Sequence, residues 1–109
     1  MPTEIRRLLY SEVEVARAIS EFALTMDTSM PKGAVLDFKV ESESPLKLRL
    51  QVQTREGKQI FHTIDEPFIA AALISHCMRN KIPIAKQSRK TVRVAKTGGI
   101  ALDMTLEQR

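Results

Sequence analysis

The same order of sequence patterns occurs twice in this chain, and that recurrence limits its fold more than any other feature. A helical stripe is followed by a proline-bearing loop, an alternating apolar run, a polar turn and a second alternating run, once in each half. Setting Ser11 against Asp65 gives an offset of 54 positions. It places Glu12 on Glu66, Ala16 on Ala70, Ala18 on Ala72, Ile19 on Leu73, Phe38 on Val92 and Val40 on Val94. Pro31 and Pro83 lie only 52 apart, so one loop carries a small insertion or deletion. The identities are few, and the repeated order of elements is the better argument for two units, about 4–54 and 58–106.

Each unit contains one helix by apolar period. In the first, Val13, Ala16, Ile19, Phe22, Ala23 and Met26 recur at three- and four-residue steps, and Glu12, Glu14, Arg17 and Glu21 fall mostly elsewhere. Ser11 and Glu14 have the Ser-x-x-Glu spacing of a capping box, in which each side chain satisfies an orphan backbone N–H of the first turn. In the second, Asp65 is an N-cap, Glu66 suits the positive end of the dipole, and Pro67 sits where its missing N–H costs little. Phe68, Ile69, Ala72, Leu73, His76 and Cys77 form its apolar face.

After each helix the period changes to two. Val35, Leu36, Phe38 and Val40, then Leu46, Leu48, Leu50 and Val52, describe one hairpin; Val92 and Val94, the Lys96-Thr97-Gly98-Gly99 turn, and Ile100, Leu102 and Met104 describe another. Gln59 to Ile64 reads as a further strand from its β-branched and aromatic content, and the offset sets it against a short strand at Ile5 to Tyr10. The rival for that first segment is a single long helix from about Thr3 to Met26. The expected fold is α+β: a two-layer sandwich with a mainly antiparallel sheet and two helices on one face, built from a duplicated β-α-β-β (or α-β-β) unit. At 109 residues, with 43% hydrophobic residues, residues 1–109 are expected to form a single domain with one core.

The charges are partitioned along the chain. Between Pro67 and Leu102 there is no acidic residue, while Arg79, Lys81, Lys86, Arg89, Lys90, Arg93 and Lys96 are all basic. The remainder carries all 13 acidic residues, inside a molecule of net charge +4. These seven residues are the candidate binding surface. The plain alternative is a solvated face, with Arg79 and Lys81 favoured by a helix C-terminus and Arg93 on the exposed side of a strand. No aromatic residue is interleaved with the cluster, so a stacking platform for single strands is not expected there. If nucleic acid binds, phosphate contacts should dominate over sequence readout.

Several chemistries are set aside. His62, His76 and Cys77 are the only soft metal ligands, and none has metal-site spacing; no metal and no cofactor are expected. Cys77 lies mid-helix among alanines, an environment for a small buried hydrophobe and not a nucleophile; His76 is expected at the core edge with one nitrogen hydrogen-bonded. The lone cysteine argues for a reducing, cytoplasmic compartment. Ser11 and Glu12 end the first apolar run too early for an export signal, and Pro67 to Met78 is too short to cross a hydrocarbon core of about 30 Å. The expected function is therefore a non-enzymatic binding or regulatory module docking an acidic protein partner. A weakly specific nucleic-acid binder using the same segment is the alternative, followed by a small enzyme whose site assembles in a homo-oligomer.

Overall fold

The computed structural model of the protein describes residues 3–26, 31 and 33–107. Its elements run β1 (Thr3–Tyr10), α1 (Glu12–Thr25), β2 (Ala34–Glu43), β3 (Leu46–Gln53), β4 (Gln59–Asp65), α2 (Glu66–Arg79), β5 (Arg89–Val94) and β6 (Ile100–Glu107). The fold is α+β, with antiparallel strands and with the helices packed on them. The strands divide into two three-stranded sheets, ordered β1-β6-β5 and β2-β3-β4.

Residues 3–10 form a strand, and the long-helix alternative is excluded. β1 pairs with β6 over eight positions, from Thr3 opposite Glu107 to Tyr10 opposite Ile100, so the two ends of the chain close one sheet. The offset of 54 carries α1 onto α2 and β3 onto β6, end to end. The strand that opens each half pairs with the hairpin of the other half: β1 lies on β6, and β4 lies on β3.

Burial follows the same spacing. α1 buries Val15, Ala18, Ile19 and Ala23, and α2 buries Ile69, Ala72, Leu73 and Cys77, each 54 positions further on. The helices pack against each other and over the inner sheet faces, where Leu46, Leu48, Leu50 and Val52 on β3 and Ile100 and Leu102 on β6 are fully enclosed. Each such side chain stabilises the fold by roughly 1.5–3 kcal/mol relative to leaving it exposed. Val13 corrects the expected helical stripe: it is 69% exposed, and Val15 takes the central place. Successive three-residue steps drift about 60° around a helix, so a stripe begun at Val13 crosses off the buried face.

Both helix starts have the expected chemistry. Ser11 Oγ accepts from Glu14 N–H at 3.2 Å, and Glu14 Oε1 accepts from Ser11 N–H at 2.9 Å. Asp65 Oδ1 accepts from Phe68 N–H at 3.2 Å, and Pro67 lies in the first turn. The Ser11 backbone bond holds the Glu14 carboxyl below its ordinary range. With the folded value below the unfolded value of about 4.3, this stabilisation is present above that pH and is lost as the pH falls through the folded value. Glu14→Gln keeps an acceptor and removes the titration, so the melting temperature of wild type should drop relative to the variant only below about pH 4. Parallel profiles from neutral to acid pH would count against this account of the cap.

The end of α2 is closed by a Schellman arrangement. Ile82 N–H donates to Cys77 O at 2.8 Å, Lys81 N–H reaches Met78 O at 3.4 Å, and Ile82 packs on the core. Lys81 occupies the left-handed position with φ 56°, which favours glycine. Lys81→Gly is expected to raise stability by about 0.5–1 kcal/mol, read as a higher urea midpoint with unchanged slope. A lower midpoint would show that the lysine side chain contributes more than its backbone geometry costs.

Candidate binding face

The seven basic residues differ in what holds them. The Arg79 guanidinium reaches back to α1, 3.5 Å from Glu21 Oε2 and hydrogen-bonded to Thr25 Oγ1, and so ties the two helices together. Lys81 closes the helix, and Lys86 is exposed in the following loop. Lys90 Nζ donates to three carbonyls of that loop, Ser88 O at 3.0 Å, Ala85 O at 3.2 Å and Lys86 O at 3.5 Å, which leaves its charge engaged locally. Lys96 lies exposed in the β5–β6 turn. Arg89 and Arg93 alternate with the buried Val92 and stand on the outer face of β5, away from the helices.

That outer face has a layout set by strand register. Across β5, β6 and β1 the rows read Arg93, Ala101, Leu9; then Thr91, Asp103, Arg7; then Arg89, Thr105, Ile5. Asp103 lies at the centre with 15% of its side chain exposed. Arg7 Nε is 2.7 Å from its Oδ1, and Arg93 Nε is 3.2 Å from its Oδ2. A second Arg7 bond, from Nη2 to Oδ2 at 3.3 Å, makes that pair bidentate and stabilises the charged form of Arg7. A guanidinium has five N–H donors, so both arginines keep donors free for a ligand. Ile5 and Leu9 are 68% and 63% exposed on the same face. The result is a cationic surface with two apolar ridges and one central carboxylate.

Arg7, Asp103, Ile5 and Leu9 lie outside the candidate segment read from the sequence. The signal available for them was the alternation of Ile5, Arg7 and Leu9 with Arg6, Leu8 and Tyr10. Their partnership depends on β1 meeting β6, a pairing across nearly the whole chain.

Cys77, the candidate nucleophile, is packed into the core, whereas His62 and His76 are only half-buried. Cys77 is fully buried, and its Sγ is 2.7 Å from the Tyr10 hydroxyl, whose ring meets His76 edge-on at 5.5 Å. Burial, followed by the Cys77 contact, raises the Tyr10 phenol well above its usual range, so it stays protonated. His76 is half-buried and its Nδ1 has no hydrogen-bond partner among the described residues. A thiol enclosed in this way has no route to a substrate. Among the described residues no group of three His, Cys, Asp or Glu side chains converges as a metal site.

Comparison of the chain with protein-family models, with curated proteins and with solved structures gives no match. Fold and surface define its class: a small α+β protein with exposed outer sheet faces. No helix among the described residues is long and apolar enough to cross a membrane.

Proposed function

We propose that this protein is a non-enzymatic binding module that docks an acidic, partly apolar protein segment on the outer face of β1-β6-β5. The observation that carries this reading is the pairing of Arg7 and Arg93 with one carboxylate, Asp103, with Arg89 in the next row and the exposed Ile5 and Leu9 on the same face. Carboxylates of a partner fit the free guanidinium donors, while its apolar side chains cover the two ridges. A phosphate backbone fits less well, because it must pass Asp103 and finds no aromatic ring among these three rows to stack a base. Of the candidate segment 79–96, Arg89 and Arg93 carry the contact; Arg79 and Lys90 are committed to holding the fold. The setting is a reducing, cytoplasmic one in this reading.

The test is fluorescence anisotropy with a labelled peptide of alternating Glu and Leu, beside a single-stranded oligonucleotide of equal charge. The peptide should bind more tightly, and Arg89→Ala with Arg93→Ala should weaken it by about tenfold or more. Tighter binding of the oligonucleotide, lost in the same double variant, would replace the acidic protein partner with nucleic acid. Peptide affinity unchanged in the double variant would remove this face from the function altogether.

A further inference from the structure

The other sheet carries a different surface on its solvent side. Register places Asp37, Gln51 and Phe61 in one row across β2, β3 and β4, and Lys39, Arg49 and Thr63 in the next. Phe61 stands mid-strand with 61% of its surface exposed, and the Arg49 guanidinium lies over its ring at 4.4 Å from the centroid. A concavity of about 200 Å³ opens at this pair, lined by Asp37, Phe38, Lys39, Arg49, Gln51 and Phe61.

We propose that this concavity is a second binding site, which takes one unpaired base of a single-stranded nucleic acid and prefers guanine. The proposal is independent of the arginine face described above. An exposed aromatic ring and a guanidinium plane are the two surfaces on which unpaired bases stack. The polar groups beside the stack add a pattern. Gln51 Nε2 donates to Gln59 Oε1 at 2.7 Å, which leaves Gln51 Oε1 as an acceptor. Asp37 Oδ1 accepts from Phe38 N–H at 2.8 Å, which leaves Oδ2 as a second acceptor. Lys39 supplies a donor in the adjacent row. Two acceptors and one cation complement guanine, whose N1–H and N2 amine donate while O6 accepts. Uracil, with two carbonyls and a single N–H, meets the same acceptors poorly.

Charge on this face argues for base recognition over backbone tracking. Lys39, Lys47 and Arg49 are outnumbered by Asp37, Glu41, Glu43 and Asp65 on the same strands, so there is no net positive field for phosphates. Binding should therefore depend weakly on salt, unlike binding that releases counterions from many phosphates.

The experiment is anisotropy of a labelled uridine decamer carrying one central guanosine, compared with the all-uridine strand and with inosine at the centre. The guanosine strand should bind about tenfold more tightly than uridine, with inosine between them because it lacks the N2 amine. Phe61→Ala should weaken binding by about tenfold, Phe61→Tyr should restore it, and Asp37→Asn should level guanosine with uridine. The exposed position of Phe61 lets these variants fold, which circular dichroism checks. Arg89→Ala with Arg93→Ala should leave this binding unchanged. Equal affinity of wild type and Phe61→Ala, no binding by wild type, or loss confined to the arginine variants would overturn the site. Competition by free guanosine monophosphate as effective as the decamer would overturn the single strand as its occupant.

Discussion

Gly99→Ala is expected to destabilise the protein by about 3 kcal/mol or more, enough to remove much of the stability of a domain this size. The cause is space and not backbone conformation. A Cβ at position 99 would lie 1.8 Å from the Tyr10 carbonyl oxygen and 2.9 Å from its carbon, and neither atom belongs to a side chain that can swing away. The added methyl must push β6 from β1 where Tyr10 pairs with Ile100, and both of those residues are core members. Gly57→Ala is the matched control. Gly57 has φ 85° with nothing within 4 Å of the added atom, so it should lose only about 1 kcal/mol for the left-handed backbone. Urea unfolding of both variants measures the difference. Equal losses would mean that the β1–β6 approach is not tight at this point.

Leu73→Ala is expected to cost about 2–5 kcal/mol. Leu73 is fully enclosed on α2 and occupies the place that Ile19 holds on α1, so its truncation opens a cavity in the core beneath the helices. Neighbouring Ala72 and Ala18 are too small to close the space by a change of rotamer. The variant should shift the urea midpoint with little change in slope. Leu24→Ala, at a position 58% exposed, should change stability by no more than about 0.5 kcal/mol. A comparable loss at Leu24 would show that burial does not rank these leucines.

Much of the fold was legible because its signals are local. The Ser11 capping box, the Asp65 cap with Pro67, the glycine turn after Lys96 and the alternation from Leu46 to Val52 each depend on residues within a few positions of one another. Val13 was misplaced for a local reason as well, since several three-residue steps in a row imitate a stripe while rotating off it. Of the two glycines in the turn, Gly98 meets the turn's need for a positive φ of 97°, whereas Gly99 is required by Tyr10, at the far end of the chain.

The candidate surface was legible only as a list of charges. Seven cations without an intervening acid are visible in the chain, but which of them are held by other parts of the molecule depends on contacts that no spacing encodes. Arg79 finds Glu21 across the helix pair, Lys90 finds loop carbonyls, and Arg93 finds Asp103 across the sheet. Phe61 and Arg49 likewise meet only because β3 and β4 pair in one register.

Sequence alone determined the kind of the elements after Ser11, their caps and turns, and the 54-position recurrence, because hydrogen-bonding geometry and side-chain period act over a few residues. It left residues 3–10 open between a strand and the start of a helix, which the pairing with β6 decided. Tertiary structure decided that each half lends its first strand to the other half's hairpin, and with that pairing which side chains share a face. The physical reason is that strand pairing joins residues far apart in the chain through the closure of a common core. One register step would turn every side chain of β1 or β4 to the opposite side.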